Sequence, residues 1–232
     1  MNSVAFVDCF LNTPVNHCVN EIVTRENLTS TYHMPCAYGL ESLKSIAKPS
    51  AYIILGSATH VSEKLDWHKE LLDIIIPDLE SGIPVLGICF GHQLIADHYG
   101  CKVGYITPKQ NTHTVLREIE FLKSYGDFKN GSKAQLAYAH AQVVQCVSNN
   151  IEVIAKSQEF EIEAIRHKSY PFYGFQSHPE CSRSFLENEL KLSNTQQQDR
   201  ILSKGEAILS NFLKISNTVQ PTSKSSTTKV TV

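Results

Sequence analysis

The run Ile83-Pro84-Val85-Leu86-Gly87-Ile88-Cys89-Phe90-Gly91-His92-Gln93 constrains this chain more than any other segment. Val85 to Ile88 carries no polar side chain, the pattern of a strand buried on both faces of a parallel sheet. Leu94, Ile95 and His98 then continue at helical spacing. A strand that enters a helix through Gly-x-Cys-x-Gly must turn sharply. The central residue is held in strained geometry, and the flanking small residues let strand and helix approach closely. The turn also sets Cys89 at a helix N-terminus, where free N–H groups and the dipole favour thiolate over thiol. A solitary cysteine is more often just a buried apolar residue, and Cys9, Cys18, Cys36, Cys101, Cys146 and Cys181 have no comparable setting. Cys89 is the candidate nucleophile.

Val4 to Val7 and Tyr52 to Leu55 also read as strands. Before the Cys89 strand, Trp67, Leu71, Ile74 and Ile75 mark one helical face, with Asp66 placed to cap its start and Pro77 to end or kink it. Strand, helix, strand in this order predicts right-handed βαβ units and an α/β fold. Further on, Val103 to Phe121 and Glu161 to Gln176 hold strand-like runs split by turn residues at Tyr125 to Gly131 and Lys168 to Pro171, which suits an antiparallel extension of the sheet. From Asp199 to Leu213, paired apolar residues recur near helical spacing and predict a closing amphipathic helix. The expected organisation is one domain over residues 1–214 and a disordered Ser/Thr/Lys-rich tail over 215–232.

Charge excludes several function classes. With 21 Lys+Arg against 23 Asp+Glu, the net charge is −2 and no dense basic block exists, so no nucleic acid and no anionic membrane is expected as partner. The apolar stretches Ala51 to Gly56 and Ile83 to Phe90 fall far short of the roughly 20 residues of a membrane span. Val4 to Leu11 is broken by Asp8 and does not read as a secretory signal. Seven scattered cysteines without C-x-x-C suit reduced thiols and a cytoplasmic location.

A thiolate that attacks an acyl centre needs a group to protonate the leaving group and later to activate water. Among ten histidines, His178 stands out in Phe172-Tyr173-Gly174-Phe175-Gln176-Ser177-His178-Pro179-Glu180, a strand-like run ending in His-Pro-Glu. Pro179 fixes the backbone so that Glu180 can turn back to accept from the imidazole and set its tautomer. His92 competes for the role but belongs to the first turn of a helix, where a side chain usually points away from the preceding one. His178, Glu180 and Cys181 lack the spacing of a zinc site, and neither metal nor cofactor is expected.

The pair of motifs, Gly87-Ile88-Cys89-Phe90-Gly91-His92-Gln93 and His178-Pro179-Glu180, resembles the class I glutamine amidotransferases over about Val4 to Leu213. The resemblance implies a flavodoxin-like, doubly wound, mostly parallel sheet with flanking helices. It also implies hydrolysis of the glutamine side-chain amide through a γ-glutamyl thioester. Cys89 would then attack, His178 would protonate ammonia and activate water, and Glu180 would orient His178. The oxyanion would lie against the backbone N–H of Phe90 and the loop Leu55-Gly56-Ser57-Ala58, chiefly at Ser57, and Gln93 would help hold the glutamine. Three segments depart from the family's usual wording: Gly56-Ser57-Ala58 at the oxyanion loop, Ser177 where Phe is common, and Ala139-His140-Ala141-Gln142 in place of Ser-His-Gly-Asp, the segment that meets the substrate's amino-acid head. The likeness is greatest to the glutaminase portion of GMP synthase, which implies ammonia transfer to a separate synthetase chain, since no G-x-x-x-x-G-K-[ST] is present. The alternatives are a stand-alone γ-glutamyl peptidase or hydrolase with a similar cysteine turn, and a non-catalytic regulatory relative.

Overall fold

The computed structural model describes residues 3–11 and 14–218. Its first half alternates strands and helices: β1 (Ser3–Val7), α1 (Asn16–Glu26), β2 (Thr29–His33), α2 (Pro35–Tyr38), α3 (Glu41–Lys44), β3 (Ala51–Ile54), α4 (Asp66–Glu80), β4 (Val85–Ile88) and α5 (Phe90–His98). The second half is dominated by strands: β5 (Lys102–Tyr105), β6 (His113–Phe121), β7 (Lys133–His140), β8 (Gln142–Cys146), β9 (Ile151–Ser157), β10 (Ala164–His167) and β11 (Phe172–Phe175). Helices α6 (Arg183–Asn188) and α7 (Thr195–Thr218) follow.

Nine strands form one sheet in the order β2-β1-β3-β4-β11-β10-β9-β6-β7, and β5 pairs with β8 in a small separate ribbon. The pairings from β2 to β11 are parallel. Those from β11 onward are antiparallel. The α/β sheet with a parallel half and an antiparallel extension is therefore what the alternation of elements predicted.

Alternation along the central strands sorts the core into two layers, because successive side chains leave opposite faces of a strand. Val4, Phe6, Ile53, Leu86 and Ile88 join Val19 and Ile22 of α1 and Ile208, Leu209 and Phe212 of α7. Ala5, Val7, Tyr52, Ile54 and Val85 join Leu71, Ile75 and Leu79 of α4 and Leu94 and Ile95 of α5. Helices thus cover both faces of the parallel half, and its strands read as continuous apolar runs for that reason.

Three local expectations are corrected. Leu65 occupies the position before α4, and Asp66 is its first helical residue, with its carboxylate in the first turn instead of in a capping bond. Pro77 does not end the helix, which runs to Glu80. A proline there removes one hydrogen bond near the C-terminal end, where Asp78 anchors the last turn by accepting from the Tyr52 hydroxyl at 2.7 Å and pairing with Lys48 at 2.6 Å. The closing helix starts before Asp199 and continues to Thr218, so residues 215–218, expected in the tail, are helical. The rest of the expected tail, 219–232, lies outside the described residues.

The close approach of β4 and α5 is built from two glycines. A Cβ on Gly87 would lie 2.6 Å from the backbone of Gly91 and His92, and a Cβ on Gly91 would lie 2.6 Å from the Ile54 carbonyl oxygen. Neither neighbour is a flexible side-chain end. Gly91→Ala is therefore expected to destabilise the protein by roughly 1–3 kcal/mol through overpacking, read as a shift of the urea midpoint at unchanged m-value. An unshifted midpoint would show that α5 can slide off β3 at no cost.

Candidate active site

Parallel pairing of β4 with β11 places Ile88 opposite Phe175. The chain segments that follow these two residues consequently emerge side by side at the carboxyl edge of the sheet. On one of them Cys89 has φ 49° and ψ −97°, a left-handed conformation rare for a residue with a Cβ. Its N–H donates to the Phe175 carbonyl at 2.8 Å, and its own carbonyl accepts from the Gln93 N–H at 3.1 Å, the first turn of α5. The Sγ atom lies 3.8 Å from the Ala139 carbonyl oxygen and 3.7 Å from Gln176 Nε2.

On the other segment, the His178 N–H donates to the Ala137 carbonyl at 2.8 Å, which ties the base to β7. His178 Nδ1 sits 2.8 Å from Glu180 Oε1. Both side chains are nearly buried. With Nδ1–H donating to the carboxylate, Nε2 is left for the nucleophile and the leaving group. Burial alone would pull the imidazolium down, but the Glu180 carboxylate and the Cys89 sulfur outweigh it and hold His178 well above its ordinary value. Helix α7 supports this turn from behind, since a Cβ on Gly205 would come within 2.3 Å of the Pro179 carbonyl oxygen. A cleft of about 560 Å³ opens over Cys89, His178 and Glu180, walled among others by Phe10, Val15, Cys18, Ser57, Ala139 and Phe185.

The remaining residues singled out in the sequence fall into two groups. Ser57 lines the cleft, and its Oγ accepts from the Thr59 N–H at 3.0 Å, which folds the loop back on itself. Gly56 lies against the base, because a Cβ there would meet His178 Cε1 at 3.0 Å. Phe90 opens α5, so its N–H belongs to the first turn, where amides have no intrahelical acceptor. Ala139 reaches the cleft next to the sulfur.

The structure does not bring Gln93 and His140 to the cleft wall. Gln93 is buried, and its Nε2 donates to the Gln142 carbonyl at 2.6 Å and to Gln176 Oε1 at 3.0 Å. His140 points inward, with Nδ1 3.0 Å from the same carbonyl and Nε2 3.5 Å from Arg117. Burial, with Arg117 adding to it, pushes His140 down to about 4. The competitor His92 is also buried, against Gly174 on β11, and burial pushes it down to about 3.

Sequence reasoning missed the internal pair behind His140. Arg117 bonds Glu163 at 3.1 Å and is stacked between the rings of Tyr138 and Phe160, at 4.4 and 4.5 Å from their centroids. It also passed over Gln176, which stands two residues before His178 and whose Nε2 lies 3.7 Å from the Cys89 sulfur.

A comparison with known families and proteins matches residues 16–193 to the family described as glutamine amidotransferase class-I. This chain belongs to the class I glutamine amidotransferase family. Among curated relatives, it is 34% identical over 190 residues to the glutamine-hydrolysing GMP synthase subunit of Methanococcus aeolicus, covering 75% of this chain and 88% of that one. It is 35% identical over 137 residues to the corresponding GMP synthase subunit of Pyrococcus abyssi, covering 59% and 62%. Solved structures agree in fold: a glutamine amidotransferase of Thermotoga maritima superposes with a TM-score of 0.71 at 17% identity, over 93% of this chain and 97% of that one. One from Methylobacillus flagellatus gives 0.68 at 15% identity, over 97% of both. The stretch matched to this amidotransferase family contains Cys89, His178 and Glu180, while β1 and α7 lie outside it.

A raised imidazole value has a definite sign in pH dependence. The folded protein keeps a proton that the unfolded chain gives up, so this contribution to stability is complete below the ordinary imidazole range. It fades as pH rises through the folded-state value. Removing the carboxylate should reverse the shift. In Glu180→Gln, the His178 titration followed by NMR is expected to move to lower pH than in the wild type; an unmoved midpoint would show that Glu180 does not hold the proton.

Proposed function

We propose that this chain is a cysteine-dependent glutaminase that passes ammonia to a separate synthetase chain. The observation that carries the reading is the meeting of a strained, helix-leading cysteine with a histidine whose other nitrogen is bonded to a carboxylate, all facing one cleft. In this reading Cys89 Sγ attacks the side-chain amide carbon of glutamine. The oxyanion forms against the backbone N–H groups of Phe90 and Ser57, donors of a kind worth a few kcal/mol each. As the C–N bond breaks, His178 Nε2 gives its proton to the nitrogen and ammonia leaves. The same nitrogen then takes a proton from water, the resulting hydroxide attacks the thioester carbon, and glutamate departs as the sulfur regains its negative charge. Glu180 keeps the imidazole in the tautomer that serves both steps.

The transfer to a synthetase is supported by the curated relatives, whose names identify them as components of a glutamine-hydrolysing GMP synthase. Among the described residues no helix is long and apolar enough to cross a membrane. A cytoplasmic location is part of the same reading, supported by seven free thiols.

Purified protein is expected to release ammonia and glutamate from glutamine in equal amounts, with turnover rising when a synthetase chain is added. Cys89→Ala should lower turnover at least about a thousandfold, as loss of a nucleophile does in other covalent catalysts. Turnover of γ-glutamyl peptides in place of glutamine would make the chain a peptidase. Equal behaviour of wild type and Cys89→Ala on every substrate would remove the enzymatic reading.

A further inference from the structure

Behind the loop that follows β3, a buried histidine of α4 touches both residues that the proposed mechanism assigns to the oxyanion. His68 is 3% exposed and stands in the first turn of α4. Its Nε2 lies 3.3 Å from Thr59 Oγ1. Thr59 Oγ1 is in turn 2.8 Å from Ser57 Oγ, which also accepts the Thr59 N–H at 3.0 Å. A line of polar contacts therefore runs from a helix to Ser57, which lines the cleft. On its other side the same imidazole packs against Phe90, with ring centroids 5.0 Å apart. Trp67 completes the contact, 4.2 Å from the His68 ring and 5.4 Å from that of Phe90.

The hydrogens on this line can be placed. Burial pushes His68 down to about 4, so near neutrality the ring carries a single hydrogen. His68 Nδ1 is buried without a hydrogen-bond partner among the described residues. With the hydrogen on Nε2, the ring donates to Thr59 Oγ1, the Thr59 hydroxyl donates on to Ser57 Oγ, and no N–H is orphaned in the core. The loop needs such a tether. Gly56, Ser57 and Ala58 are small, none of them has the stiffness of a branched or cyclic side chain, and Ala58 is exposed. An oxyanion donor is effective only when it is aimed before the charge develops.

We propose that His68 is a positioning residue for the oxyanion pocket: through Thr59 it holds the Ser57 loop, and through its ring it seats Phe90. The inference rests on the glutaminase reading, which is what assigns an oxyanion to these two backbone N–H groups. Formation and hydrolysis of the thioester both pass through that charge, so the effect reaches kcat whichever of the two is slower.

The test measures three quantities on the full chain: kcat and KM for glutamine, the rate at which iodoacetamide alkylates Cys89 (followed by peptide mapping), and the melting temperature. Alkylation displaces iodide at a saturated carbon and creates no oxyanion. It therefore reads the sulfur without reading the pocket. Thr59→Val keeps the shape of the side chain and removes the hydroxyl, and is expected to lower kcat about tenfold with KM within about twofold and alkylation unchanged. Thr59→Ser restores the hydroxyl and should recover most of the loss. His68→Phe keeps a ring against Phe90 and breaks the same bond from its other end, so it should show the same split. The double variant should be no worse than either single one, because the two side chains act as a unit. If His68→Phe fails to fold, the smaller His68→Leu replaces it with the same expected split.

An unchanged kcat in folded Thr59→Val or in the folded His68 variant overturns the proposal. So does an equal fall in alkylation, which would mark a general disturbance around Cys89, or a change confined to KM, which is the behaviour of a substrate contact. A wild type that does not turn over glutamine defeats the glutaminase reading and this inference with it. A wild type that does, accompanied by variants that match it, defeats the inference alone.

Discussion

The positive φ of Cys89 is a strain that its own residue type opposes, and the arrangement around it exists to sustain that strain. Such a conformation costs on the order of 1–3 kcal/mol. It is held because β4 and α5 are locked at a distance that only glycine permits at positions 87 and 91, with the Ile54 carbonyl pressed against the second of them. Backbone bonds finish the clamp, one from the Cys89 N–H to Phe175 and one back from Gln93 to the Cys89 carbonyl. Packed backbone thus holds Cys89 at the edge of the cleft.

His178 and Cys89 line one cleft because of where the sheet changes sense. Strand β11 pairs in parallel with β4 and antiparallel with β10, so it belongs to both halves of the sheet. Cys89 follows a strand of the parallel half, and His178 is secured by the antiparallel half through its bond to Ala137. Strand β7, which ends at His140, also supplies the Ala139 carbonyl beside the sulfur. Helix α7 holds the Pro179 turn down at Gly205, which makes an element outside the matched family region part of the support for His178.

What could be read from the sequence was whatever depends on neighbours along the chain. The all-apolar Val85 to Ile88, the glycines flanking Cys89 and the His-Pro-Glu turn are local patterns, and each was legible as strand, sharp turn or His–Glu pair. Strands β7, β8 and β9 were not, and on the neighbouring segments stand Arg117 and Glu163, whose burial depends on partners far along the chain. Arg117 is 6% exposed and Glu163 1%, a pair that resembles surface charge until Tyr138 and Phe160 close over it. The bonds of Gln93 were hidden for the related reason that a motif shows which residue is present and not which way its amide is turned. Its direction is settled by a carbonyl 49 positions later.

Three buried histidines, His92, His140 and His178, show how burial and nearby charge compete. Burial acts on all three in the same sense, against the charged form. In His92 and His140 nothing opposes it strongly enough, and they end at about 3 and about 4, neutral at any ordinary pH. His178 moves the other way. The difference is not depth, since His178 is itself buried, but a carboxylate two residues on, brought to 2.8 Å, together with the Cys89 sulfur. Pro179 stiffens the turn between them. Proximity to Cys89 in sequence favoured His92; charge pairing in space singles out His178 as the histidine that keeps a proton while out of water.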